Sequence, residues 1–126
     1  MTNIAERFVV ETYSEEYEAD VIRLIENFHT DAVREYDDAL SVDSIRQTVL
    51  SLKDNQSENA FLLVIDGRCE GILAGVVVKS LIGENMIYQE LIWYVNKPFR
   101  HSGISLLREA EKALKSRGIS ITIMAV

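Results

Sequence analysis

Three apolar segments follow one another between residues 60 and 95 and limit the chain to folds built around an antiparallel sheet. Residues 60–66 and 71–78 are rich in β-branched and aliphatic side chains, and Asp66-Gly67 between them is a strong signal for a β-hairpin. Residues 86–95 form a third segment of this kind, which stops before Pro98 because proline cannot donate a backbone hydrogen bond to a sheet. The sequence therefore predicts a three-stranded meander in the middle of the fold.

Helical periodicity dominates the sequence before the meander. Residues 8–12 have the composition of a short strand, and Ser14 is placed to cap a helix whose first turn is acidic. The apolar stripe of this helix consists of Tyr17, Val21, Leu24, Ile25 and Phe28. Ser44 and Gln47 have the spacing of a capping box that starts a second helix, which the polar residues 54–59 are expected to end. The apolar face of this second helix consists of Ile45, Val49 and Leu52.

The segment after the meander has the clearest helical pattern in the chain. It covers residues 103–117, and Gly118 stands at the C-cap position, where the backbone conformation favours glycine. Its predicted buried face consists of Ile104, Leu107, Ala110, Ala113 and Leu114. Residues 119–126 alternate apolar and hydroxyl side chains and should form a last strand, parallel to the third meander strand because a helix joins the two. The predicted fold is a mixed α/β sheet of order βααβββαβ, with the first four strands antiparallel.

The length of 126 residues fits a single domain spanning residues 1–126. The longest stretch without a charge in the strand-rich middle, residues 71–78, falls far short of the roughly 18–20 apolar residues that a membrane span needs. The N-terminus lacks the basic start and apolar core of a signal peptide, and the single cysteine, Cys69, cannot form an internal disulfide. We therefore expect a cytoplasmic protein that does not associate with a membrane.

The net charge of −7 argues against a nucleic-acid partner, because an acidic surface repels a phosphate backbone. The charge is unevenly distributed: residues 1–58 carry 14 acidic and 5 basic side chains, whereas residues 59–126 carry 6 and 8. An acidic first half would attract a cationic partner, although solubility alone explains the same charge. A basic cluster in the second half either forms an anion site or decorates a solvated helix; it consists of Lys97, Arg100, Arg108, Lys112, Lys115 and Arg117.

The turn between the third meander strand and the last helix has the composition of an anion-binding site. A strand that enters a glycine-containing turn at a helix N-terminus directs unpaired N–H groups and the positive end of the helix dipole toward one point. Gly103 would let the backbone approach an anion closely, and Arg100 could add a charge-assisted contact. The alternative is an ordinary helix start.

The residues of this turn resemble the acetyl-CoA-binding motif of the GNAT N-acetyltransferases. That motif has Gln or Arg, two residues of any type, Gly, any residue, and then Gly or Ala; Arg100, Gly103 and Ser105 stand at those positions here. The order βααβββαβ is also similar to the first two thirds of the family fold, so the resemblance covers essentially the whole chain. Glu90 followed by Trp93-Tyr94-Val95 is similar to small phage-borne members.

The resemblance implies acetyl-CoA as co-substrate and a primary amine of a small molecule or peptide as acceptor. In the family, amides of the turn hold the CoA pyrophosphate and the pantetheine arm runs along the end of the preceding strand. These roles fall here on Trp93, Tyr94, Val95, Arg100, His101, Ser102, Gly103, Ile104 and Ser105.

Direct attack of an amine on the thioester needs a base, and Glu90 is the only carboxylate in residues 86–95. Alternatively, Glu90 is a surface carboxylate or binds the amine while water acts as base, and a bulge would change the face to which it points. Tyr88 or Tyr94 could serve as the acid, although both fit packing roles better. His29 and His101 have no ligand pattern beside them, so no metal is expected.

Three departures from the family pattern bear on activity. Ser105 replaces Gly or Ala, Pro98 comes one residue later than usual, and the family's final helix and strands are missing after Val126. Without those strands, Thr122 and Met124 would lie on an exposed edge, so we expect a homo-oligomer or another segment to cover it. The sequence thus predicts an N-acetyltransferase. The alternative is a catalytically silent CoA-binding or protein-interaction module.

Overall fold

The computed structural model describes residues 8–32, 42–80, 83 and 85–122. Within them, a five-stranded sheet lies between two layers of helices. The strands are β1 (Phe8–Thr12), β2 (Ala60–Ile65), β3 (Arg68–Lys79), β4 (Met86–Val95) and β5 (Ile119–Thr122). The α-helices are α1 (Glu18–Ala32), α2 (Val42–Ser51) and α3 (Gly103–Ser116). Short helical segments connect them: 3-10 turns at Glu15–Tyr17, Ser57–Asn59 and Lys97–Ser102, and a π-helical turn at Leu52–Gln56.

The strands lie side by side in the order of the sequence, from β1 to β5. The first four pair antiparallel, whereas β5 pairs parallel to β4 after the crossover through α3. This arrangement confirms the predicted order βααβββαβ and the predicted mixed sheet.

The two helical layers bury opposite faces of the sheet. α1 and α2 cover one face, and Val21, Leu24 and Ile25 of the predicted stripe are buried there. α3 covers the other face through Leu106, Ala110 and Leu114, all fully buried. Because the sheet is covered on both sides, every residue of β2 is buried.

Two tight turns adopt the backbone conformation that the sequence predicts. Asp66 and Gly67, at φ values of 50° and 82°, connect β2 to β3 in a hairpin, and both lie in the left-handed region that such a turn requires. Gly118 ends α3 with a φ of 74°, where a side chain would be strained. The hairpin and the C-cap are therefore confirmed.

The predicted boundaries of the first two helices need correction. Ser14 precedes the first turn as expected, but its side chain makes no capping hydrogen bond. The predicted capping box at Ser44 is wrong, because α2 begins at Val42 and Ser44 lies inside it. The polar run also fails to end the helical path, which continues through the π-helical turn and the 3-10 turn as far as Asn59. Val49 and Leu52 are buried as predicted.

The buried face of α3 is rotated from the predicted one. Ile104, which the sequence assigns to the core, is 51% exposed, whereas Leu106 is fully buried against β4 and β2 residues. Leu107 and Ala113 are partly buried at the border of this face. The helix therefore contacts the sheet mainly through positions 103, 106, 110 and 114, which recur at helical spacing.

β5 has no second neighbouring strand among the described residues, so its outer edge is open there. Met124 lies outside the described residues, and cover of this edge by a second copy of the chain stays a prediction. None of the helices in the described residues is both long enough and apolar enough to cross a membrane.

The ring of Tyr88 fills the space above Gly75 on the face of the sheet that α3 covers. Tyr88 is fully buried, and its hydroxyl donates a hydrogen bond to the carbonyl of Asn59. A Cβ atom at position 75 would lie 2.8 Å from Cζ of this ring and would also clash with the carbonyl oxygen of Gln89. Gly75 is therefore required by the close approach of β4 and the tyrosine ring.

We expect Gly75→Ala to lower the free energy of unfolding by about 1–3 kcal/mol, because the ring and the β4 backbone must both move to admit a methyl group. Urea unfolding followed by circular dichroism measures the change. Gly83→Ala is the matched control, because a Cβ there has open space, and its effect should stay within about 0.5 kcal/mol. Equal stability of the two variants would contradict the packing of Tyr88 described here.

Candidate functional site

The pairing of β4 with β5 is described for the first half of β4. It runs from Met86 opposite Ile119 to Gln89 opposite Thr122, the last described residue of the chain. β4 itself continues to Val95, and Glu90 is its first residue beyond the described pairing.

A β-bulge follows immediately. Ala74 of β3 lies opposite Ile92, but Gly75 lies opposite Glu90, so Leu91 is an extra residue in β4. The bulge directs Leu91 and Ile92 to the face covered by α1 and α2, where both contact a cavity with residues of those helices. Because Glu90 is two residues from the buried Tyr88, its side chain lies on the α3 face. The facing that the sequence left open is therefore set by this bulge.

The backbone N–H and carbonyl groups of β4 after the bulge point alternately toward β3 and away from it. The N–H of Asn96 donates to the carbonyl of Glu70 at 2.9 Å and so points toward β3. Alternation then directs the N–H and carbonyl groups of Val95 and Trp93 away from β3 and those of Tyr94 toward it. The carbonyl of Val95 is already occupied there, since it accepts a hydrogen bond from Nε of Arg100 at 3.2 Å.

A cavity of about 330 Å³ lies beside the end of β4 and brings together five of the predicted cofactor-binding residues. They are Trp93, Tyr94, Val95, Arg100 and Gly103. The other four predicted residues do not line it; they are His101, Ser102, Ile104 and Ser105. Gly103 is buried at the start of α3, and a Cβ atom there would lie 3.7 Å from Cγ2 of Val95, an ordinary contact. A longer side chain would extend into the cavity.

The turn leading to α3 is more helical than the sequence predicts. It forms a 3-10 helix, Lys97–Ser102, that continues directly into α3. The N–H of Gly103 donates to the carbonyl of Arg100 and is therefore not free to bind an anion in this structure. The sequence predicted a cluster of unpaired N–H groups in this turn. At Gly103 this prediction is wrong, because the 3-10 helix pairs its N–H with the Arg100 carbonyl.

Asp31, near the C-terminal end of α1, holds the side chains of Tyr94 and Arg100. The Tyr94 hydroxyl donates to Oδ2 of Asp31 at 2.7 Å, and Nη2 of Arg100 donates to the same oxygen at 3.2 Å. The guanidinium also lies over the Tyr94 ring, 5.6 Å from its centre. The hydrogen bond from Tyr94 lowers the pKa of Asp31, with help from the charges of Lys97 and Arg100. Sequence reasoning missed Asp31, because nothing near it in the chain marks a contact with a strand 63 residues later.

A polar network anchors the end of β4 to its neighbours. The side-chain amide of Asn96 donates to Oε1 of Glu70 at 2.9 Å and accepts from the amide of Asn27 on α1 at 3.1 Å. These side chains line a second cavity, of about 400 Å³, together with Asp31 and Tyr94. The network fixes the position of the 3-10 turn relative to α1 and β3.

Glu90 is partly buried, and its side chain has no hydrogen bond or ion pair with the described residues. Partial burial raises the pKa of its carboxyl group above the ordinary value, because desolvation disfavours the charged form.

Neither tyrosine considered as the acid has a free hydroxyl. Tyr88 is fully buried with its hydroxyl bound to the carbonyl of Asn59, which supports a packing role. The hydroxyl of Tyr94 is bound to Asp31, on the other face of the sheet from Glu90.

Other reactive or charged side chains of the described residues are buried or paired on the surface. Cys69 is buried, and burial raises the pKa of its thiol to about 12, far from that of a nucleophile. Lys115 pairs with Glu111 at 3.1 Å on the exposed face of α3, as the helical spacing predicts. Among the described residues, no group of His, Cys, Asp and Glu side chains has the arrangement of a metal site.

Neither a protein-family model nor a curated protein matches this sequence. Solved structures do match its fold. A possible acetyltransferase from Clostridium difficile 630 superposes with a TM-score of 0.74 at 13% identity, covering 94% of this chain and 79% of the other. An aminoglycoside acetyltransferase from an uncultured soil metagenomic sample, crystallised with sisomicin, gives 0.71 at 15% identity, covering 94% and 78%. A GNAT family acetyltransferase from Staphylococcus aureus gives 0.72 at 12% identity, covering 94% and 87%.

These likenesses show that the chain has the GNAT acetyltransferase fold. They confirm the fold that the sequence motif around Arg100 and Gly103 implied.

The burial of Glu90 predicts a pH-dependent effect of Glu90→Gln on stability. The pKa of Glu90 is higher in the folded protein than in the unfolded chain, so the unfolded chain loses this proton at a lower pH. The free energy of unfolding of the wild type therefore falls as the pH rises from the unfolded-state pKa through the folded-state pKa. Glutamine cannot ionise, so the variant should melt higher than wild type at pH 7 and this advantage should vanish near pH 3. Thermal melts at both pH values test this. An advantage that is the same at both would show that ionisation of Glu90 is not its source.

Proposed function

We propose that this protein is an acetyl-CoA-dependent N-acetyltransferase that transfers an acetyl group to a primary amine by direct attack. The observation that carries the proposal is the arrangement of two features along the second half of β4. The partly buried side chain of Glu90 has no partner among the described residues, and the cavity at Trp93, Val95 and Gly103 lies farther along the same strand, at the start of α3. The GNAT fold supports this assignment.

In the proposed complex, the pantetheine arm extends along the second half of β4, on the side of the strand opposite β3. The N–H and carbonyl groups of Trp93 and the N–H of Val95 point to that side and offer the hydrogen bonds that an extended amide chain can use. From Val95 to Glu90 the strand covers roughly 16 Å, at about 3.3 Å per residue. An arm anchored near Gly103 would therefore bring its thioester toward Glu90, while the α3 N-terminus and Arg100 face the anionic end.

The proposed chemistry assigns one role to Glu90. Its carboxylate removes a proton from the ammonium form of the acceptor, whose nitrogen then attacks the carbonyl carbon of the thioester. The new C–N bond forms, the C–S bond breaks, and the nitrogen loses its second proton. The thiolate of CoA takes up this second proton by way of water and leaves as the free thiol. A raised pKa suits a base that must also hold a proton, because it lies closer to neutral pH.

A catalytically silent CoA-binding or protein-interaction module is the second candidate. One observation favours it: two groups expected to bind the cofactor are already engaged within the protein. The N–H of Gly103 donates to the Arg100 carbonyl, and the Arg100 guanidinium binds Asp31 and the Val95 carbonyl. An active site would have to release part of these contacts when the cofactor binds.

Cofactor binding is tested first. Acetyl-CoA at about 100 times its dissociation constant should stabilise the protein by roughly 2.7 kcal/mol and raise the melting midpoint by several degrees. Gly103→Glu should abolish this shift, because its carboxylate would extend into the cavity and repel the pyrophosphate. Gly83→Glu introduces the same charge where a side chain has open space and should keep the full shift. A folded wild-type protein whose midpoint does not move would refute the cofactor site.

Catalysis is tested by thiol release with a panel of primary amines. Glu90→Gln should lower kcat by about 100-fold or more, the usual contribution of a general base, while acetyl-CoA still raises the melting midpoint. Glu109→Gln, a substitution of an exposed carboxylate that pairs with Lys112 on α3, should leave the rate unchanged. An unaltered rate in Glu90→Gln would exclude Glu90 as base. Binding of acetyl-CoA without turnover of any amine would favour the silent module.

A further inference from the structure

The ion pair between Arg100 and Asp31 lies where two cavities adjoin. Arg100 lines the cavity at the end of β4, where the anionic end of the cofactor is proposed to bind, whereas Asp31 lines the second cavity, of about 400 Å³. Tyr94 lines both. Nη2 of Arg100 is 3.2 Å from Oδ2 of Asp31, so a residue of the proposed cofactor site is paired with a carboxylate that lies outside it.

The contacts of Arg100 leave no complete edge of its guanidinium for a phosphate group. Arginine binds phosphate most strongly through two parallel N–H groups, either Nε with one Nη or both Nη atoms together. Nε donates to the carbonyl of Val95 at 3.2 Å, and Nη2 donates to Asp31. Each edge therefore has one nitrogen already engaged. A phosphate group can accept a bidentate pair of hydrogen bonds only after one of these contacts is released.

The contact with Asp31 is the one that a phosphate group can replace. The side chains of Arg100 and Asp31 are 52% and 34% exposed, and ion pairs with this much exposure are weak because water and salt screen them. After Arg100 leaves, Asp31 keeps the hydrogen bond from the Tyr94 hydroxyl at 2.7 Å, and the charge of Lys97 still acts on it. Release of Arg100 therefore does not leave the carboxylate without a partner.

Two other contacts hold the guanidinium beside the cofactor cavity without the help of Asp31. Nε is bound to the carbonyl of Val95, and the guanidinium lies 5.6 Å from the centre of the Tyr94 ring. Loss of the carboxylate would thus free Nη2 and leave the positive charge uncompensated while the side chain stays in place. We expect such a site to bind an anion more tightly.

We propose that Asp31 is a positioning residue of the cofactor site, which competes with the CoA pyrophosphate for Arg100 and so weakens retention of the cofactor. This inference rests on the proposed function and adds a regulation of the same site. Asp31 belongs to α1 and Arg100 to the turn before α3, so the helix on one face of the sheet limits how tightly an anion is held at the start of the helix on the other. Return of Arg100 to Asp31 favours dissociation of CoA after the reaction.

The first test measures the affinity for acetyl-CoA by isothermal titration calorimetry. Asp31→Asn should lower the dissociation constant about threefold or more, the effect of losing one partly exposed ion pair. Asparagine can still accept the hydrogen bond from Tyr94, so the variant should fold. Glu26→Gln is the control, because it removes the same charge from an exposed position of α1 that lines neither cavity, and it should leave the constant unchanged.

The direction of the change separates competition from support. If Asp31 only held Arg100 in place for the cofactor, its removal would raise the dissociation constant. An unchanged or raised constant in Asp31→Asn, or an equal fall in Asp31→Asn and Glu26→Gln, would overturn the inference.

A double-mutant cycle tests whether the effect passes through Arg100. In an Arg100→Ala background, Asp31→Asn should change the dissociation constant no more than Glu26→Gln does, because no guanidinium is left to compete for. The same tightening in that background would show that Asp31 acts through its charge alone and would refute competition for Arg100.

A shortened ligand separates failure of this inference from failure of the proposed function. S-Acetylpantetheine has the thioester and the arm of acetyl-CoA but no phosphate group, so Asp31→Asn should leave its dissociation constant unchanged. Equal tightening of both ligands would overturn the inference. If acetyl-CoA binds the wild type and Asp31→Asn equally, the inference is wrong and the proposed cofactor site stands. If acetyl-CoA binds neither protein, the cofactor site is refuted and the inference falls with it.

Discussion

The candidate site depends on the pairing of β4 with β3, which continues from Met86 to Val95. This pairing keeps the second half of β4 in a strand geometry beyond Gln89, the last residue described in a pair with β5. It is interrupted once, by a bulge at the extra residue Leu91. The same bulge divides the side chains of β4 between the cavity under α1 and α2 and the face under α3.

The end of β4 is held in place by polar contacts that reach across the fold. Asp31 binds Tyr94 and Arg100, and Asn96 connects Asn27 to Glu70. These contacts join α1 to the end of β4 and to the following turn, so the position of the turn depends on where α1 ends. A single carboxylate thus connects the helix layer on one face of the sheet to the start of the helix on the other.

Local signals predicted the elements, but not the contacts that build the site. β-branched runs and Asp66-Gly67 gave the meander and the bounds of β4, and Gly118 gave the end of α3. Periodicity predicted that Ile104 is in the core, where the structure has Leu106. The two residues lie on neighbouring apolar stripes of α3, and only packing against the sheet decides which stripe the helix turns inward. The bulge and the role of Asp31 had no sequence signal, since the first depends on the register of β3 and the second on a contact made across the whole fold.

The edge at Trp93 and Val95 offers main-chain groups, and every amino acid except proline has the same ones. A surface of this kind constrains the path of the backbone far more than the identity of the residues on it. Substitutions can therefore accumulate along such a strand over evolutionary time while the edge itself persists. This agrees with a chain whose fold is shared with solved structures at 12–15% identity although no family model recognises its sequence. In proteins of this shape, the path of a strand can therefore stay the same while most of its side chains differ.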